Sequence, residues 1–221
     1  MDRRKALKNM GLSLGYAVAT PTLISLMQSC QQEKAMVWTP DFFSQEEGAA
    51  VTKLVDIILP KTDTPAASEV QVHLFIDRLA NEVMDKEKQD LFRLGMSRFM
   101  EEAVRVSGKE KAEDLEAEDL EPILAEALKN TKEEEVQMFE SITNYQEAVS
   151  QGKAVTLDDG IARFSFANNL RGLTIWGYST SEYIGEEVLA YLPVPGQYIA
   201  CDDVETLTGG KAWSIGISNY E

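Results

Sequence analysis

Ile161-Ala162-Arg163-Phe164-Ser165-Phe166-Ala167-Asn168-Asn169-Leu170-Arg171-Gly172-Leu173-Thr174-Ile175-Trp176-Gly177-Tyr178 decides the fold, because no other part of the chain's body is so uniformly apolar. The run follows Asp159 and predicts a central helix, buried on most sides. Arg163 and Arg171 are then the charges to explain, since an arginine in an apolar helix must find a carboxylate or a backbone acceptor. Pairing inside the domain is the expectation for both, with substrate binding as the alternative.

Working back from this run, the same helical period recurs. Thr131 with Glu134 three residues later has the form of a capping box, opening a helix toward Val149 through Val136, Phe139, Ile142 and Tyr145. Glu121-Pro122-Ile123 begins a short helix through Leu128, and the charge run from Lys109 to Asp119 reads as an exposed connection. A helix from about Glu87 to Gly108 sets Phe92, Met96, Phe99, Met100 and Ala103 on one stripe, with the methionines as core filler. Before it, Pro65 suits the opening turn of a helix whose apolar face is Val72, Phe75, Ile76, Leu79 and Val83. The first helix is capped by Ser44 with Glu47, buries Ala50, Val51, Leu54, Val55, Ile58 and Leu59, and stops at Pro60. Trp38, Phe42 and Phe43 are expected at the edge of the domain.

Working forward, Ser179 with Glu182 is expected to cap a further helix through Ile184, Val188, Leu189 and Leu192, ended by Pro193-Val194-Pro195-Gly196. Residues 197–221 have Gly209-Gly210 and no helical period, so they read as an extended tail over this domain or a partner. Tyr198, Cys201 and Trp213 on that tail, with Trp176, Tyr178 and Glu182 in the neighbouring turn, are the candidate partner interface, since aromatic anchors dominate interface energy. No run of β-branched residues alternates for long. The fold class is therefore mainly α, a single compact multi-helix domain over 44–196 with an irregular extended C-terminal tail.

The first thirty residues have another grammar. Arg3-Arg4 stand ahead of an apolar run from Met10 to Met27, the order of an export signal. The pattern resembles the twin-arginine signal: Arg3, Arg4, Leu7 and Lys8 fit it, while Asp2 and Ala6 depart from it. Such signals carry cargo already folded. Leu26-Met27-Gln28-Ser29-Cys30 resembles a lipobox, which makes Cys30 the lipidated residue. Residues 1–29 are then the signal and 30–43 a tether, with the body in the periplasm or cell envelope, held to the membrane through Cys30. The alternatives are a permanent membrane anchor or an ordinary buried helix, and a run holding Pro21 and several hydroxyls is marginal for spanning a bilayer.

Composition excludes several functions. A net charge of −16 over 221 residues argues against nucleic acid and against electrostatic adhesion to anionic lipid. With Cys30 lipidated, only Cys201 remains, as a buried thiol or an intermolecular bridge. One histidine, His73, leaves no di-iron Glu-x-x-His pair, and there is no Cys-x-x-Cys for zinc or haem. Glu69, His73 and Asp77 share a helical spacing that could form a weak metal or acid/base patch, although a helix this acidic produces such triplets by chance. No Gly-x-Ser-x-Gly and no Gly-x-Gly-x-x-Gly behind a strand are present. Neither a catalytic set nor a cofactor or metal site is expected in this chain.

Four segments carry a family resemblance: Arg3-Arg4 with its apolar run, Ile57-Ile58-Leu59-Pro60-Lys61-Thr62-Asp63-Thr64-Pro65-Ala66-Ala67, Gly177-Tyr178-Ser179-Thr180-Ser181-Glu182, and Tyr191-Leu192-Pro193-Val194-Pro195-Gly196-Gln197-Tyr198. Together they resemble the gluconate 2-dehydrogenase subunit 3 family, with Ala66 where that family has glycine and Ser179 where it has phenylalanine. The resemblance implies a non-catalytic partner of a flavin-dependent sugar or polyol dehydrogenase of the glucose-methanol-choline type. FAD would then lie in the large subunit, with a cytochrome as third subunit in some members, and the small subunit would supply the export signal for both. Cys30 is a departure, since a lipid anchor is not universal in that family. The alternative is a stand-alone envelope lipoprotein that binds a sugar or another envelope protein.

Overall fold

Asp158 opens the helix on which the others converge, its carboxylate accepting from the backbone N–H groups of Gly160 and Ile161 at 2.8 and 3.2 Å. In the computed structural model, which describes residues 38–191 and 201–214, seven α-helices succeed one another with no strand beyond an isolated bridge among the described residues. They are α1 (Gln45–Ile58), α2 (Val72–Glu82), α3 (Lys86–Ser107), α4 (Ala117–Leu128), α5 (Lys132–Ser150), α6 (Asp159–Ser179) and the short α7 (Val204–Thr208). A 3-10 turn (Ala112–Asp114) precedes α4, and a π-helical turn (Ile184–Val188) follows α6. Helix α6 packs against each of α1 to α5, as the apolar run predicts. The mainly α class expected from the sequence is observed.

The central helix is one-sided, however. Ala162, Phe166, Ala167, Leu170, Thr174 and Gly177 are buried, whereas Asn169, Gly172 and Ile175 face solvent. Arg163 and Arg171 sit half-buried at the margin of that face, so neither meets the desolvation that would demand an internal carboxylate. Arg171 donates to Oδ1 of Asn168 at 2.7 Å, one turn back. The Glu102 carboxyl is held below its ordinary range chiefly by Arg105, with the charge of Arg163 adding to it.

The closest crossing is between α3 and α6. A Cβ on Gly95 would lie 2.5 Å from the Ala162 carbonyl oxygen and 2.8 Å from Phe166 Cβ. Glycine at that one position lets the Phe92 and Phe99 rings, one on either side, reach Phe166 at 5.2 and 5.3 Å between centroids. The entry segment is held by a different device. Asp77, 1% exposed, accepts backbone N–H bonds from Asp41, Phe42 and Phe43 at 2.8, 3.0 and 3.1 Å. Arg93 donates to the Phe42 carbonyl at 2.8 Å and lies 3.9 Å above the Phe42 ring. Phe42 and Phe43 are thus buried parts of the fold.

Several boundaries differ from the sequence expectation. Pro65 does not open α2; the helix begins at Val72, behind a turn in which Gln71 takes φ 61°. Val83 lies beyond its last turn and is 74% exposed. Helix α4 starts four residues before Glu121, where the Glu116 backbone N–H donates to Asp119 at 2.8 Å. The charge run before it is not a free connection, because Leu115 is buried and its carbonyl accepts from Lys53 at 2.6 Å. On α5 the predicted cap is present, but Val136 and Phe139 are 56% and 46% exposed, and Ile142 is the one buried residue. No described helix is long and apolar enough to cross a membrane. Arg3, Arg4, Leu7, Lys8, Cys30, Leu192 and Tyr198 lie outside the described residues.

Candidate functional site

The segments Lys61–Ala67 and Gly177–Glu182, more than a hundred residues apart in sequence, meet in the fold. The first is a hydrogen-bonded turn: the Thr62 N–H donates to the Thr64 carbonyl at 3.0 Å, and the Ala66 N–H to the Glu69 carboxylate at 2.8 Å. Lys61 pairs with the same Glu69 at 2.6 Å, and this partner holds the Glu69 carboxyl below its ordinary range. Asp56 on α1 accepts from both the backbone N–H and the hydroxyl of Ser68 at 2.7 Å. Tyr178 then locks the turn to α6, its hydroxyl donating to the Pro65 carbonyl at 2.8 Å and lying 2.9 Å from Thr64 Oγ1.

Gly177 and the three hydroxyl residues of the second segment each have a local reason. A Cβ at Gly177 would lie 2.6 Å from Cδ1 of Phe75, so glycine lets the Phe75 ring seat itself against α6. Phe75 meets Trp176 edge-on at 5.1 Å between centroids. The hydroxyls of Ser179, Thr180 and Ser181 donate to the carbonyls of Ile175, Trp176 and Tyr178 at 2.8, 2.7 and 2.7 Å, adding to the backbone N–H bonds that Thr180 and Ser181 give to Trp176 and Tyr178 at the helix end. Ser179 is therefore the last residue of α6 and not the N-cap of a new helix. In the π-helical turn beyond it, the Leu189 N–H donates to the Ile184 carbonyl at 2.9 Å; such turns are frequent at functional sites.

Between α2, the end of α6 and this turn runs an open groove of about 1010 Å³. Leu74, Phe75, Leu79 and Trp176 line it on the apolar side, and Glu69, Arg78, Glu82, Glu182, Glu186 and Glu187 are its charged residues. A shallower recess on the other side of Glu69 is lined by Lys61–Pro65 and shares Tyr183 with the groove. Of the residues expected at an interface, Trp176 and Glu182 line the groove, while Tyr178 is spent on the latch. The α2 residues Arg78 and Glu82, and Tyr183, were not legible as site residues, because their place depends on where α2 crosses α6.

The described part of the tail returns to the same end of the molecule. The Ala190 N–H donates to the Ala212 carbonyl at 2.8 Å, the Ser214 N–H donates to the Ala190 carbonyl at 2.9 Å, and Lys211 reaches the Glu187 carbonyl at 2.9 Å. Trp213 stands 47% exposed in this bridge. The aperiodic pattern did not predict α7, whose five residues depend on Asp203 accepting from the Thr206 N–H at 2.9 Å and on Gly209 at φ 63°. Cys201 is exposed, so the buried-thiol expectation does not hold.

The Glu69–His73–Asp77 triplet is not assembled. Glu69 precedes α2 and is engaged by Lys61, and Asp77 is turned into the core by three backbone donors. His73 is half-buried, and desolvation lowers its pKa despite the charges of Asp56 and Asp77. Among the described residues no group of three or more histidine, cysteine, aspartate or glutamate side chains is placed to hold a metal ion. Comparison with curated proteins and with solved structures finds no significant match. Residues 45–196, from the start of the first helix to beyond the π-helical turn, match the family described as gluconate 2-dehydrogenase subunit 3, and the chain belongs to that family.

Proposed function

We propose that this chain is the non-catalytic small subunit of a flavin-dependent sugar or polyol dehydrogenase of the glucose-methanol-choline type, and that it escorts the large subunit out of the cytoplasm. The observation that carries this reading is how the family's two central segments are used. Gly177 and Tyr178 build a junction and a groove wall, and their chemistry ends in packing and hydrogen bonds. FAD and the redox chemistry belong to the large subunit, with a cytochrome as a further subunit where one is present.

Export rests on Arg3-Arg4, and tethering rests on Cys30. A signal that exports folded cargo suits a subunit that must cross together with a partner already holding its flavin. Capture of the full chain from detergent-solubilised envelopes of its own cells tests the reading. The expected result is one co-purifying large protein with flavin absorbance, identified by mass spectrometry. Recovery of the chain alone would favour a stand-alone envelope lipoprotein. Arg3→Lys with Arg4→Lys should leave the precursor and its partner in the cytoplasm, and Cys30→Ala should release the body from membranes.

A further inference from the structure

The groove between α2 and the end of α6 combines two features seldom found together on a solvated acidic surface. Its apolar side is continuous, running from Leu79 to the Phe75–Trp176 pair, and it extends to the mouth, where Val83 is 74% and Tyr183 52% exposed. Its charge is lopsided: Glu69 is paired with Lys61, and the carboxylates of Glu82, Glu182, Glu186 and Glu187 stand against the single guanidinium of Arg78. Apolar area of this kind is stabilised by being covered, and the carboxylates select what can cover it.

We infer that the groove receives an amphipathic helix of the partner dehydrogenase, with an apolar face flanked by lysine or arginine; this rests on the accessory-subunit reading above. The lining comes from helices and turns with no strand edge, so an extended peptide has no ladder to join, and the geometry suits a helix laid in a groove. A helix with side chains occupies about 500 Å³ per turn, from its diameter of about 11 Å and pitch of about 5.4 Å. The groove's 1010 Å³ thus accommodates about two turns. A second copy of this chain is a poor occupant, because its net charge of −16 would bring like charge against the acidic rim. The two cationic flanks would meet Glu82 on the α2 wall and Glu182 and Glu186 on the opposite wall.

The test compares the full chain with a Glu82→Lys, Glu182→Lys, Glu186→Lys variant in the same capture from solubilised envelopes. All three positions are exposed, so the fold should survive. The expected result is a loss of co-purified flavoprotein of about tenfold or more, together with a wild-type complex that weakens as salt is raised. A photo-crosslinking phenylalanine analogue at position 183 should then attach to a helical, lysine- or arginine-bearing peptide of the flavoprotein. Equal recovery with wild type and variant would overturn the groove assignment while leaving the accessory-subunit reading intact. Attachment to an acidic or extended peptide would overturn it too, even if the triple variant failed to fold. Recovery of no flavoprotein by the wild-type chain would sink both readings together.

Discussion

Asp77 is the residue on which the entry of the chain depends. Its carboxylate is 1% exposed and accepts three backbone N–H groups from Asp41, Phe42 and Phe43, so removing it leaves buried donors without an acceptor. Asp77→Ala should cost about 3 kcal/mol in urea unfolding, with Asp77→Asn costing less because one acceptor oxygen remains. His73 makes a prediction of the opposite kind. Burial lowers its pKa, so between the folded value and the ordinary value of about 6.5 the unfolded chain binds more protons. Its contribution is complete above about pH 6.5 and is lost as pH falls toward the folded pKa. The lowered carboxylates, among them Glu101, Glu102 and Glu116, act only at lower pH, below about 4.5. Urea titrations at pH 7 and pH 5.5 should therefore show a loss that His73→Gln removes. An identical loss in that variant would assign it elsewhere.

At the scale of elements, the α3–α6 crossing is the tightest contact and α5 is the least buried of the six long helices. Gly95→Ala would drive a Cβ to within 2.5 Å of the Ala162 carbonyl, and backbone on both sides leaves little room to yield. The expected cost is about 2 kcal/mol, read as a lower urea midpoint with an unchanged slope. Helix α5 buries only Ile142, in a small cluster with Leu91 and Phe164, while Val136 and Phe139 remain exposed. Its periodic pattern was readable as a helix but overstated its burial, because amphipathicity reports a face and not whether anything covers it. The mixed case is α6. Its apolar run correctly marked the centre of the fold, yet Ile175 and Leu173 did not need burial on all sides once five helices had packed against the other face.

For the whole molecule, the question is whether the tail belongs to the fold or to an interface. Its described part is held by two backbone hydrogen bonds around Ala190 and by Lys211, and it leaves Trp213 47% exposed. Deleting residues 203–221 should therefore shift the melting temperature by no more than about 4 °C while reducing capture of the partner. A much larger fall in melting temperature would make the tail part of the domain's own core.

The sequence alone determined the helical class, the central run and the capped starts of α1 and α5, because each rests on local chemistry: apolar spacing, or a hydroxyl three residues before a glutamate. The Thr62–Pro65 and Gly177–Glu182 segments were also visible as sequence. Only the tertiary structure decided what they do, because Tyr178 finds Thr64 and Pro65 across 114 and 113 residues, and Phe75 finds the space that Gly177 leaves. No local pattern records such distances. The groove exists because α2 crosses α6 at that junction, and its acidic rim comes from residues that read in sequence as ordinary solvated charge.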